Sequence, residues 1–98
     1  MPQCLIMSES AVSRTVIVAN RAGLHARTAV ILAKAAQRFD ARVLVAKGLH
    51  QVDAKDVLQL MQLVAEQGDA LRLEACGPEA RQALDELEDL FLRKFDED

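Results

Sequence analysis

The chain has 98 residues, 51% of them apolar, which suits one domain with one core and is too apolar for a disordered polymer. Its longest unbroken apolar run, Ala29 to Ala33, is far short of the roughly 20 residues that a membrane helix needs. The net charge of −3 hides an asymmetry: residues 1–55 hold eight Lys and Arg against three Asp and Glu, and residues 56–98 hold four against twelve. A basic first half is compatible with an anionic partner, but its charges are scattered and Trp and Tyr are absent, so the stacking platforms of a nucleic-acid reader are missing. Two cysteines, Cys4 and Cys76, make neither a disulfide framework nor a four-cysteine zinc site. They point to reduced thiols in a cytoplasmic domain, with Cys76 packed as a small core residue.

Residues 1–10 carry no basic start of the secretory kind and read as a flexible N-terminal extension; residues 11–98 read as the domain. Residues 12–19 are β-branched and predict a strand. After the loop 20–25, Ala26, Ala29, Val30, Ala33 and Ala36 recur at helical spacing up to about Arg38. Val43, Leu44 and Val45 mark a second strand, Lys47-Gly48 a turn, and 49–52 the returning arm of a hairpin. Asp53, three residues ahead of Asp56, predicts a capping box and a helix over 54–67, closed by Gly68. Leu71, Leu73 and Ala75 alternate with Arg72 and Glu74, as in a half-buried strand. Pro78 opens the last helix, whose stripe runs from Ala80 through Leu84, Leu87 and Phe91 to Phe95. The order β-α-β-β-α-β-α, with a hairpin inside it, implies an α+β body: one antiparallel sheet covered by helices on one face.

His25 is the first chemical candidate. It follows a glycine-containing loop at the mouth of a helix, where unpaired N–H groups and a partial positive charge favour anions. Imidazole is a nucleophile near neutral pH, and Arg27 adds a fork matched to phosphate oxygens. Together they suit capture of a phosphoryl group, although a lone His-x-Arg more often marks a histidine that only caps a helix. The helix from residue 54 is the second candidate. Its apolar arc spans about 220°, wider than the ~100° stripe that a surface helix buries. Leu60, Leu63 and Val64 read as core; Val57, Leu58 and Met61 form the surplus edge, either covered by neighbours or left open for protein docking. His50 reads as solvated, Glu86 and Asp89 as part of a solvated face, and no cluster has the spacing of metal ligands.

Two segments together resemble a known family. Gly23-Leu24-His25-Ala26-Arg27-Thr28-Ala29 is similar to the active-site segment Gly-[Leu/Ile/Met]-His-[Ala/Thr]-Arg-Pro-Ala of the histidine-containing phosphocarriers, the HPr family of the bacterial phosphotransferase system. Val52-Asp53-Ala54-Lys55-Asp56-Val57-Leu58-Gln59-Leu60-Met61 resembles that family's segment around a regulatory serine. The resemblance runs from about residue 11 to the end, and the tail Phe95-Asp96-Glu97-Asp98 resembles the nitrogen-related (NPr) branch.

The resemblance implies an open-faced β-sandwich, βαββαβα, with four antiparallel strands covered on one face by three helices. It implies a cytoplasmic, monomeric phosphocarrier that needs no cofactor or metal and is no stand-alone enzyme. It would accept a phosphoryl group on His25 Nδ1 from Enzyme I and pass it to an enzyme IIA-type acceptor, with neither nucleic acid nor membrane as partner. Arg27 and the backbone N–H groups of Ala26 and Arg27 would hold the phosphoryl oxygens. Ala26, Val30, Val57, Leu58 and Met61 would form the docking surface. Two positions depart from the family pattern. Thr28 replaces a proline and so takes a rigid element away from His25. Asp56 replaces the regulatory serine, cannot be phosphorylated there, and would act as a partial mimic of phosphoserine. An HPr-like regulatory docking domain with little or no transfer is the alternative that these departures keep open.

Overall fold

The computed structural model describes residues 11–97. The expected extension, residues 1–10, lies outside them. Seven regular elements follow in the anticipated order: β1 (Val12–Ile17), α1 (Ala26–Gln37), β2 (Arg42–Lys47), β3 (His50–Asp53), α2 (Val57–Gln62), β4 (Ala70–Cys76) and α3 (Ala80–Leu92). The strands form one sheet in the order β1-β4-β2-β3, every neighbouring pair antiparallel. Alternation sets the faces. In β4, Leu71, Leu73 and Ala75 are buried, whereas Arg72 lies exposed. The register brings Val43 opposite Ala75 and Val45 opposite Leu73, so two central strands share one apolar face.

The helices cover that face. α3 packs over β1 and β4, and α1 lies against both α2 and α3. Leu32, Leu60, Leu71, Leu73, Leu84, Leu87 and Phe91 are its largest fully buried apolar side chains. Burying one such side chain contributes about 1.5–3 kcal/mol. Among the described residues no helix is long and apolar enough to cross a membrane.

Several expectations need correction. The helix expected over 54–67 is only Val57–Gln62. Its N-cap is Asp56, whose side chain accepts the Gln59 N–H at 3.1 Å, while Asp53 accepts the Lys55 N–H at 2.9 Å in a turn before the helix. At the far end Val64 takes a positive φ of 51°, so the helical wheel no longer applies there, and Val64 is exposed instead of core. The last helix starts at Ala80 rather than Pro78, and it stops before Phe95. Phe95 lies beyond it in a short turn, Lys94–Asp96, yet stays buried edge-on against Phe91, with ring centroids 5.0 Å apart. Cys76 is buried, as expected, but is disulfide-bonded rather than a reduced thiol.

The early end of α2 matters for the loop before α1. Released from the helix, the Ala65 carbonyl accepts the Leu24 N–H at 2.9 Å. Gly23 lies against the same carbonyl with φ of +74°, and a Cβ built there would come within 2.6 Å of Ala65 O. Only glycine fits both the backbone angle and the space. Gly23→Ala is therefore expected to destabilise the fold by about 1–3 kcal/mol. Chemical denaturation checks this, and an unchanged midpoint would contradict the close approach.

Candidate functional site

His25 is the N-cap of α1, with an extended backbone (φ −94°, ψ −172°). Its ring turns back on the helix that it starts: Nδ1 accepts the Arg27 N–H at 3.2 Å. In return the Thr28 hydroxyl accepts the His25 N–H at 3.0 Å, which completes a capping box. Nδ1 thus sits at the first turn of α1, held by the Arg27 N–H, where a helix start is partly positive. Thr28 does more than fill the place of a proline. Its buried hydroxyl is tied to the chain before the helix, so rigidity expected to be lost is supplied by hydrogen bonds.

The other ring nitrogen meets a residue that the sequence reading missed. Glu97 reaches the site from the far end of the chain, its Oε1 3.1 Å from His25 Nε2. Its Oε2 accepts from Arg27 Nη2 at 2.6 Å, and Asn20 Nδ2 donates to Oε1 at 3.2 Å. An ionised carboxylate only accepts, so its partner Nε2 carries the ring proton and Nδ1 keeps its lone pair. Chiefly because Arg27 donates to it, and next because His25 does, the Glu97 carboxyl is held down at about 2. The contact is therefore formed at neutral pH and fades only as the pH falls from the ordinary carboxylate range towards 2. Its side chain is only 15% exposed, against the solvated, fraying tail that composition suggests. No local spacing joins positions 25 and 97. The turn Lys94–Asp96, with Phe95 seated on Phe91, is what delivers the carboxylate.

Chemically, this is a nucleophilic nitrogen held by one helix-start N–H, with a guanidinium nearby and a carboxylate on the other ring nitrogen. Arg21, Ala22, Arg27 and Glu97 line a shallow depression at its edge. The remaining candidates fall elsewhere. Ala26, Val30, Leu58 and Met61 are exposed, and Val57 is half-buried against the core. They lie on α1 and α2, which pack together. Asp56 sits at the start of α2, bound to the Gln59 amide groups. His50 is exposed at the hairpin end. Glu86 pairs with Arg38, and Asp89 with Arg93, so neither carboxylate is part of an acid/base pair. Among the described residues no group of His, Cys, Asp and Glu is placed to hold a metal ion.

Known proteins carry the same plan. Residues 12–92 match the family model PTS-HPr, described as the PTS HPr component phosphorylation site. The phosphocarrier protein HPr of Treponema pallidum is 40% identical over 87 residues, which covers 89% of this chain and 99% of that one. The phosphocarrier protein NPr of Proteus mirabilis is 34% identical over 86 residues, covering 87% and 96% respectively. The crystal structure of HPr from Thermoanaerobacter tengcongensis superposes with a TM-score of 0.86 at 33% identity, covering 89% of this chain and 98% of that one. The family model over residues 12–92, the relatives that match along nearly their whole length and the shared fold lead to one conclusion: this chain belongs to the HPr family of phosphotransferase-system phosphocarriers.

Proposed function

We propose that His25 carries the phosphoryl group and that Nδ1 is the atom that bears it. The observation that supports this reading most directly is the pairing of the ring: Nδ1 faces the helix-start N–H groups with its lone pair, while Nε2 is 3.1 Å from Glu97. The donor is an Enzyme I-type phosphoprotein and the acceptor an enzyme IIA-type protein. Transfer begins when the Nδ1 lone pair, released from the Arg27 N–H, attacks phosphorus. The bond from phosphorus to the donor's atom breaks, and its electron pair leaves with the donor. The ring keeps its Nε2 proton and so gains positive charge, which the Glu97 carboxylate beside it stabilises.

Arg27 has two roles in turn. Before transfer it holds Glu97; after transfer the three phosphoryl oxygens are the stronger anion, and the Arg27 fork and the N–H groups of Ala26 and Arg27 take them up. The exchange keeps one anion beside Arg27 at each stage, which favours reversible over one-way transfer. Ala26, Val30, Val57, Leu58 and Met61 receive donor and acceptor alternately, so the complexes are transient and the carrier works as a cytoplasmic monomer. Asp56 holds a permanent charge at the edge of that surface. The charge is smaller than a phosphate's, so donor docking is weakened and not blocked.

The function is tested by phosphorylating the purified chain with phosphoenolpyruvate and Enzyme I, read by intact mass and acid lability. Wild type gains one acid-labile, base-stable phosphoryl group and His25→Ala gains none; an equal adduct on both proteins would refute the assignment. NMR titration of the Glu97 carboxyl should give a midpoint near 2 in the free protein and a return towards the ordinary carboxylate range once His25 is phosphorylated. An ordinary midpoint before phosphorylation would contradict the exchange. Asp56→Ser keeps a good N-cap on α2 and should speed phosphorylation of His25. Unchanged transfer kinetics would remove Asp56 from the control of docking.

A further inference from the structure

Asn20 and Thr28 are the two polar side chains that are fully buried among the described residues. Both meet one atom. Asn20 Nδ2 donates to the Gly23 carbonyl at 2.8 Å, and Thr28 Oγ1 lies 3.1 Å from the same oxygen. Thr28 Oγ1 also accepts the His25 N–H and lies 3.2 Å from the His25 carbonyl. A hydroxyl has one proton, so it donates to one of these two carbonyls at a time and accepts from His25 in either case. The backbone on both sides of His25 is thereby tied to a side chain inside the core.

The Asn20 amide shows what this arrangement serves. Its Oδ1 is buried and, among the described residues, has no hydrogen-bond partner. Turning the amide over would not help, because its Nδ2 faces two acceptors, the Gly23 carbonyl and Glu97 Oε1. A buried acceptor left without a donor is unfavourable, and here it persists because the opposite end of the amide holds the Gly23 carbonyl. That carbonyl belongs to the one loop residue wedged against Ala65 with a positive φ. Fixing it fixes the direction from which the chain enters α1, and so where Nδ1 lies relative to the helix-start N–H groups.

We propose that Thr28, together with Asn20, is a positioning residue for phosphoryl transfer: the buried pair clamps the Gly23 carbonyl and, through the Thr28 hydroxyl, holds the His25 backbone in its transfer geometry. The clamp rests on the reading of His25 as the phosphoryl acceptor. It touches neither the phosphoryl group nor the docking surface, so its loss should lower kcat for phosphorylation by the donor and leave KM for the donor alone. Small displacements of a reacting group cost rate steeply.

Wild type, Thr28→Val and Thr28→Ser are compared with the same donor and phosphoenolpyruvate, folding being checked by circular dichroism. Thr28→Val keeps the shape and removes the hydroxyl; it should lower kcat about tenfold with KM within about twofold of wild type. Thr28→Ser restores the hydroxyl and should return kcat to within about twofold. A Thr28→Val protein with wild-type kcat, or a Thr28→Ser protein as slow as Thr28→Val, would overturn the clamp. If Thr28→Val does not fold, Thr28→Ala takes its place under the same criteria. Failure of the underlying reading is separate, because wild type itself would then gain no phosphoryl group.

Discussion

The hydrogen bond from the Arg27 amide to His25 Nδ1 ties a reactive ring to the open end of a helix. A helix start must satisfy its first N–H groups somehow, and here a side chain that is itself a nucleophile does so. The same donors that orient the ring in the free protein are in place to receive an anion when one arrives. Much of the surrounding structure preserves this junction. Gly23 packs on Ala65, Leu24 bonds to the end of the α2 segment, and Thr28 returns a hydroxyl to the His25 N–H. The sheet and its helices bring these pieces together from residues 20 to 97.

Glu97 completes the electrostatics. Arg27 is exposed and would gain little from an ordinary surface ion pair. Glu97, by contrast, is nearly enclosed and bridges Arg27, His25 and Asn20 at once. That shared carboxylate selects the ring tautomer and fills the place beside Arg27 that the proposed phosphoryl group would take. Exposed Leu58 and Met61 lie on α2, and the segment after it supports the loop before His25, so the proposed docking surface and the proposed acceptor nitrogen share one scaffold.

What the sequence revealed was whatever is local. Strand alternation in 71–75, the helical stripe of α3 and the segment from Gly23 to Ala29 are each encoded within a few residues, and all appear where the pattern places them. Val64 failed because periodicity does not announce where a helix stops; the backbone turned left-handed after Gln62 and moved the side chain to solvent. Glu97 was hidden for another reason: its partners Arg27, His25 and Asn20 lie 70, 72 and 77 positions away, and only the folded chain brings them together. The Asn20 and Thr28 contacts to the Gly23 carbonyl span three and five positions, but the burial that isolates them from water is set by the fold and not by spacing. Thr28 shows the same limit in reverse. Its type alone shows a lost proline, whereas the fold shows a buried hydroxyl bonded to the backbone around His25, which residue type does not reveal.

The central claim is that His25 is held with its proton on Nε2 and with Nδ1 unprotonated, accepting only the Arg27 N–H that phosphorus would displace. Nitrogen NMR of the ring-labelled protein tests it directly, before and after phosphorylation by the donor. The account predicts an Nε2–H ring in the free protein and a phosphoryl group on Nδ1 afterwards. An Nδ1–H ring at the start, or a phosphoryl group on Nε2, would contradict it.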